Sequence, residues 1–271
     1  MPELPEVETT RLGILPLVKG ASVISVSVRQ RQLRYPVPAT LARELTGLDI
    51  QDVQRRGKYL LLITAKGAAI IHLGMSGSLR LVPHGTTAGK HDHVDICLDN
   101  QHCLRLRDPR RFGLVLWTRH PPLAHQLLCS LGPEPLSNEF TGEYLYEIGR
   151  DRRQAIKSLV MDSHRVVGVG NIYANEALFS AGIHPCRAAG RISRHRYEEL
   201  VRSIRHVLQC AIIQGGTTLR DFYYGDDQPG YFAQSLQVYG RAGLECLKCG
   251  SPIKLIRQGQ RATYYCTHCQ R

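Results

Sequence analysis

Two cysteine pairs near the C-terminal end constrain this chain more than any other feature. Cys246 and Cys249 are separated by two residues, sixteen residues follow, and Cys266 and Cys269 repeat the two-residue spacing. This is the spacing of a four-thiolate zinc ribbon, in which each close pair sits on a tight knuckle and the intervening residues form a hairpin. The turn is predicted near Gln258-Gly259. A module this short has too little apolar area to fold without its metal. With thiolate at every position no coordination site stays open, so the predicted Zn2+, one per chain, is structural and not catalytic. His268 is an alternative ligand, disfavoured by the regular cysteine spacing. Lys248, Lys254, Arg257, Arg261 and Arg271 make the ribbon basic, either as a phosphate-facing hairpin or as a solvated surface.

The remaining cysteines, Cys97, Cys103, Cys129, Cys186 and Cys210, are scattered. An odd total of nine without a secretory leader argues for reduced thiols beside a metal site, not for a disulfide framework. Acidic residues at Glu3, Glu6 and Glu8 replace the apolar core of a signal peptide. No run of about twenty apolar residues offers a membrane span. A cytoplasmic protein is expected. Thirty-five Lys and Arg against 23 Asp and Glu leave a net charge of +12, which suits a polyanion such as nucleic acid or anionic lipid but names no reaction.

The opening residues, Met1-Pro2-Glu3-Leu4-Pro5-Glu6-Val7-Glu8-Thr9, suggest chemistry. Removal of Met1 would leave Pro2 with a free secondary amine. An α-amino group titrates near pH ~8, so an appreciable fraction is neutral at physiological pH. Such an amine condenses with an aldehyde to a cationic iminium, and Glu3 and Glu6 are close enough in sequence to move protons for it. The same residues also read simply as a helix start, with Pro5 and the acids at its positive end.

A short helix is predicted over residues 5–18. Residues 21–120 read as β, with apolar runs at 23–28, 59–64, 69–73, 79–82, 94–98 and 114–117 separated by turn residues such as Lys66-Gly67 and Asp99-Asn100. That pattern suggests a sandwich or barrel. Leu131-Gly132-Pro133-Glu134-Pro135 begins a predicted hinge, because two prolines and a glycine interrupt either period. Helical periodicity follows at 145–156, 171–181 and 194–213. Residues 215–230 read as a polar, glycine-bearing loop.

Within this frame, Val166 to Ala181 places two glycines before Asn171, read as an N-cap. A helix start there offers backbone N–H groups to a phosphate, though an ordinary helix start fits equally. His91, His93 and Asp95 share one face of a predicted strand, as a hydrogen-bonded polar face, a phosphate contact or, less favoured, a metal site. Met75 in a glycine-rich turn and Phe112 after Asp108-Pro109-Arg110-Arg111 would ordinarily be packing residues. On a basic surface they can instead act as wedges that unstack DNA, with Arg110 filling the space of a flipped base.

Together these pieces closely resemble the bacterial formamidopyrimidine-DNA glycosylases over essentially the whole length. The carriers are PELPEVET at 2–9, RRGKYLL at 56–62, HLGMSGSLR at 72–80, KHDHVD at 90–95, DPRRFG at 108–113, LGPEPL at 131–136, VVGVGNIYANEALF at 166–179, QGGTTLRDF at 214–222, PGYF at 229–232 and the ribbon. The resemblance implies an α+β, multidomain fold. An N-terminal catalytic β-sandwich with an initial helix would span 1–130, a hinge 131–140, a helical helix–two-turn–helix domain with a lesion loop 141–235, and the zinc ribbon 236–271. It implies a monomer acting on damaged double-stranded DNA in base excision repair, away from any membrane. Residue by residue, Pro2 matches the nucleophile, Glu3 the general acid/base, Glu6 its support and Lys58 the proton donor of β-elimination. Arg261 matches the residue assigned to δ-elimination, although a guanidinium is better suited to clamp phosphate than to donate a proton. Lys157 and Asn171 match phosphate ligands, His91 and Arg110 DNA contacts, with Arg152 or Arg153 a further basic contact, and Met75, Arg110 and Phe112 the trio that fills the stack. The loop Gly215–Tyr231 matches the segment that closes over an extruded base. The sister endonuclease VIII type, acting on oxidised pyrimidines, and a non-catalytic nucleic-acid-binding zinc protein are the alternatives.

Overall fold

A computed structural model describes residues 2–216 and 232–271. Met1 and residues 217–231 lie outside them, and with them the greater part of the expected lesion loop. Contacts divide the chain into two units, Met1–Cys129 with Gly215–Tyr231, and Ser130–Gln214 with Phe232–Arg271.

The first unit opens with α1, Leu4–Val18, close to the predicted span. Its start is set by Glu3 in extended conformation, whose N–H donates to Glu6 Oε2 at 2.8 Å, while Pro5 sits in the first turn where no N–H is needed. Strands β1 Val23–Val28, β2 Ile50–Arg56, β3 Tyr59–Thr64, β4 Gly67–His72, β5 Ser78–Pro83, β6 Asp92–Leu98, β7 His102–Arg107 and β8 Leu114–Thr118 follow, with the short helix α2, Leu41–Leu45, after β1. They form two antiparallel four-stranded sheets, ordered β1-β6-β7-β5 and β2-β3-β4-β8. Val23, Val94, Ile96, Leu104 and Leu106 of one sheet pack with Val53, Leu60, Leu62, Ala69, Ile71 and Val115 of the other. Val7, Ile14 and Val18 of α1 join the same core. The sandwich is thus the one expected.

Two strands lacked a clear apolar signal in the sequence. In β2 only Ile50 and Val53 are buried, among Gln, Asp and Arg residues, and β7 buries Cys103 to Leu106 with the charged Arg105 between its two leucines. They are strands because each pairs along its length with a strongly apolar neighbour, β3 and β6 respectively.

The second unit carries α3 Gly142–Gly149, α4 Ile156–Val160, α5 Asn171–Ser180 and α6 Arg194–Ile213. The single helix expected over 145–156 is broken. The Tyr197 hydroxyl occupies the place where a Cβ on Gly149 would stand, and Asp151 takes a left-handed φ of 62°. The chain restarts at α4, and turns between 161 and 170 bring it into α5, giving the helix–two-turn–helix arrangement. The 131–140 segment is fastened to this unit by Arg205, whose guanidinium donates to the carbonyls of Pro135, Ser137 and Phe140. Strands β9 Ile253–Gln258 and β10 Arg261–Cys266 form the ribbon hairpin, turning at Gly259 with φ 60°. Phe179 of α5 packs with Val238, Cys246, Ile253 and Cys266, so ribbon and helix share a small core.

The cysteine reading needs one correction. Cys97 and Cys103 are disulfide-linked. They are direct partners across β6 and β7, an arrangement the count of cysteines could not reveal because it depends on register.

Candidate active site

The N-terminal end of α1 buries Pro2, Glu3 and Glu6, with both acids only 2% exposed. A Cβ on Gly216 would come within 2.9 Å of Glu6 Oε1, so the start of the 215–231 segment lies against this carboxylate. One turn further, Glu8 fixes the helix to the sheet. Arg11 Nη2 donates to Glu8 at 2.7 Å, and Arg55 Nε donates to it at 2.8 Å. Desolvation would raise the Glu8 carboxyl, but the Arg11 and Arg55 hydrogen bonds and charges outweigh it and hold the group below its ordinary value. Arg55 also donates from Nη1 to the Gly57 carbonyl at 3.0 Å. Gly57 makes the tight β2–β3 turn with φ 57°, and Lys58 is the next residue. One guanidinium therefore ties the helix bearing Pro2 and Glu3 to the turn bearing Lys58.

Lys58 and Arg34 also place positive charge near His72. Burial first, then these charges, lower His72 to about 4, so its ring is neutral at physiological pH. The neutral ring accepts the Gly74 N–H on Nδ1 at 2.9 Å, which starts the turn carrying Met75.

That turn packs on the Asp108–Phe112 segment. Asp108 is fully buried, accepts the Gly113 N–H at 2.7 Å and the Ser76 hydroxyl at 3.3 Å, and its carbonyl lies 2.8 Å from His93 Nε2. Met75 and Phe112 remain exposed, 41% and 45%, although both are large apolar side chains. Arg110 lies over the Phe112 ring at 4.9 Å. His91 directly precedes β6, with its carbonyl accepting the Asp108 N–H. The three residues read as candidate wedges are therefore held by one buried carboxylate and two abutting loops. The metal alternative for His91, His93 and Asp95 is not assembled. Asp95 is instead engaged by Arg105 and Arg29, which overcome its desolvation and lower its pKa.

Gly74 permits this arrangement. Its φ is +65°, and a Cβ would lie 2.4 Å from the Phe112 carbonyl carbon. Gly74→Ala should therefore cost roughly 1–3 kcal/mol, combining backbone strain and overpacking. Gly85→Ala, equally left-handed but with nothing within 4 Å, should cost less. Thermal denaturation of both variants checks this; equal losses would count against the packing of the two loops.

In the second unit, Lys157 is 1% exposed. Its ammonium donates to the Ala262 carbonyl at 3.0 Å and to Thr263 Oγ1 at 2.7 Å. Asn171 Nδ2 donates to the same Ala262 carbonyl at 3.1 Å, while Asn171 Oδ1 is buried without a hydrogen-bond partner among the described residues. Gly170, not Asn171, is the N-cap of α5; Asn171 is the first helical residue and its side chain turns to the ribbon. The two residues thus fix the strand that begins with exposed Arg261. Arg152 is also exposed, with Nε donating to the Ile148 carbonyl at 2.6 Å. No sequence signal pointed to Glu176. It is buried and accepts the N–H groups of Gln237, Val238 and Tyr239, bracing the chain that enters the ribbon. Burial raises its pKa despite those three donors.

The four ribbon sulfurs lie within 4.8 Å of one another. Zinc–thiolate bonds of about 2.3 Å place the corners of a tetrahedron about 3.8 Å apart. Cys249 and Cys266 are 3.5 Å apart and Cys246 and Cys269 3.9 Å, so the donor set fits one zinc with no position left for substrate. The chain carries one structural zinc there.

Three family models match successive parts of the chain. They are the formamidopyrimidine-DNA glycosylase N-terminal domain over residues 1–115, the formamidopyrimidine-DNA glycosylase H2TH domain over 131–223, and the zinc finger found in FPG and IleRS over 243–271. The formamidopyrimidine-DNA glycosylase of Methylococcus capsulatus is 58% identical, with both chains covered in full. Among solved structures, wild-type Lactococcus lactis Fpg (MutM) in complex with N7-benzyl-Fapy-dG-containing DNA is 34% identical, with both chains covered in full and a TM-score of 0.91. The same enzyme with oxidised-pyrimidine-containing DNA is 34% identical, again over the whole of both chains, with a TM-score of 0.90. Sequence, domain order and fold agree over the full length, and the chain belongs to the formamidopyrimidine-DNA glycosylase family.

Proposed function

We propose that the chain excises oxidised purines, 8-oxoguanine and formamidopyrimidines, from duplex DNA and then cleaves the abasic strand by β,δ-elimination. The observation that carries this reading is the buried Pro2-Glu3 start of α1, clasped by Glu6 and tied through Glu8 and Arg55 to the Lys58 turn.

In this proposal Met1 is removed and the Pro2 nitrogen attacks C1′ of the damaged nucleoside. The bond to the base breaks, and the base leaves with the electron pair and gains a proton. The sugar ring opens as the nitrogen lone pair forms the iminium, with Glu3 moving protons at the sugar. The iminium acidifies C2′, so loss of that proton expels the 3′ phosphate, assisted by Lys58. A second elimination expels the 5′ phosphate. Arg261 clamps a phosphate there as a permanent cation, positioned by Lys157 and Asn171 through Ala262. Met75, Arg110 and Phe112 fill the stack after extrusion, offsetting its cost of a few kcal/mol. His91 and Arg152 contact the DNA backbone. The enzyme acts as a monomer in the cytoplasm. Among the described residues no helix is long and apolar enough to cross a membrane.

Oxidised pyrimidines form a second reading, favoured by the relative's complex with such a lesion. Product analysis on matched duplexes separates the two. Scission should be faster at 8-oxoguanine opposite cytosine than at an oxidised pyrimidine. The reverse order would overturn the purine assignment, and binding without scission at either would overturn the enzymatic one.

A further inference from the structure

The outer face of the β6–β7 pair holds a second group of metal-binding side chains. Val94, Ile96, Leu104 and Leu106 turn into the sandwich core, so Asp95, Cys97, Cys103 and Arg105 occupy the opposite face. Cys97 and Cys103 stand directly across from one another with Cα atoms 3.9 Å apart. The segment after β5 folds over them. Arg105, paired with Asp95, donates to the carbonyls of Thr86 and Thr87 at 2.8 and 3.2 Å, and the His84 N–H donates to the Gln101 carbonyl at 2.9 Å. This holds a His84 ring nitrogen and the two sulfurs within 4.8 Å of one another. The group lies near the hairpin end of the pair, five residues along β6 from Asp92, or about 17 Å at ~3.3 Å per residue. His91 and Asp108 lie at the other end, so this group is separate from the candidate active site.

We infer that Cys97, Cys103 and His84 form a redox-gated site for one thiophilic cation, zinc in the first instance. In the reduced chain two thiolates and an imidazole supply three of the four ligands zinc prefers, and water completes the shell. The disulfide is the cation-free state. Exchange with a small disulfide such as oxidised glutathione forms the Cys97–Cys103 bond, converts the reagent to two thiolates and frees the zinc, so electrons and charge balance. With an open fourth position and no dedicated second knuckle, this site holds zinc more weakly than the ribbon does.

The test counts zinc. The full chain is reduced with dithiothreitol, freed of reductant without air, equilibrated with zinc chloride, desalted and analysed for metal, with free thiols counted in parallel. The expected result is a second equivalent beyond the ribbon zinc in wild type, absent from Cys97→Ser and from His84→Ala. His84→Ala leaves both thiols in place and guards against misfolding of the cysteine variant. Treatment of loaded wild type with oxidised glutathione should release that equivalent and lower the mass by two hydrogens. A single equivalent in reduced wild type with Cys97 and Cys103 shown to be free thiols would overturn the site. So would a second equivalent that persists in both variants, because it would then belong to Cys129, Cys186 or Cys210.

Discussion

Excision of 8-oxoguanine should fall by about 10²–10⁴-fold in Glu3→Gln, while binding to an undamaged duplex is little changed. Glutamine preserves the size of the side chain and one acceptor oxygen, so the start of α1 keeps its shape. It cannot take up or release a proton near neutral pH. Because Glu3 is buried beside Pro2, bulk water is poorly placed to substitute for it. Glu6→Gln provides the comparison. Its oxygen can still accept the Glu3 N–H, and Glu6 positions the N-terminus without moving a proton, so its loss should be the smaller. Single-turnover rates with the lesion duplex in excess of its dissociation constant check both variants. Equal losses would remove the distinction between the two acids, and an unchanged Glu3→Gln rate would exclude Glu3 as the acid/base.

Cys249→Ser should release the zinc and weaken duplex binding at least tenfold, equivalent to about 1.4 kcal/mol. The effect spreads because the ribbon has little core apart from the metal and the Phe179 contact. Metal binding in modules of this kind supplies about 10–16 kcal/mol of apparent folding free energy. Loss of the hairpin displaces Arg261 and removes the Ala262 carbonyl and Thr263 hydroxyl that receive the Lys157 ammonium, leaving a buried charge without those partners. Fewer cations then meet phosphate, so binding should also depend less steeply on salt. Metal analysis and binding titrations at two salt concentrations test this. A zinc-free variant with full affinity would contradict the structural role of the ribbon.

Residues whose signal is local were legible in the sequence. The ribbon ligands follow from spacing alone, and α6 follows from periodicity between Ser193 and Gln214. The sandwich was visible where apolar runs were strong, but β2 and β7 owe their conformation to neighbouring strands that no local pattern records. The break after Gly149 depends on Tyr197, nearly fifty residues away in the chain. The same holds for the site. Pro2 and Glu3 are legible in the opening residues as an amine and a proton carrier, whereas the roles of Lys58 and Arg261 in the eliminations rest on resemblance to a family. Arg55 as the link between Glu8 and the Lys58 turn, and Glu176 under the ribbon entrance, depend on contacts that only the folded chain displays. Lys157 shows the limit most clearly. Resemblance implies a phosphate ligand there, and nothing local in the sequence shows that its buried ammonium also donates to the Ala262 carbonyl and the Thr263 hydroxyl.

The most direct test of the proposed chemistry is borohydride trapping on a duplex with one 8-oxoguanine opposite cytosine, followed by mass mapping of the cross-linked peptide. The expected product is a reduced adduct on the nitrogen of Pro2, at the mature N-terminus, with Met1 absent. A trapped adduct on a lysine, or none on a chain that binds the duplex with Pro2 exposed as its first residue, would contradict it.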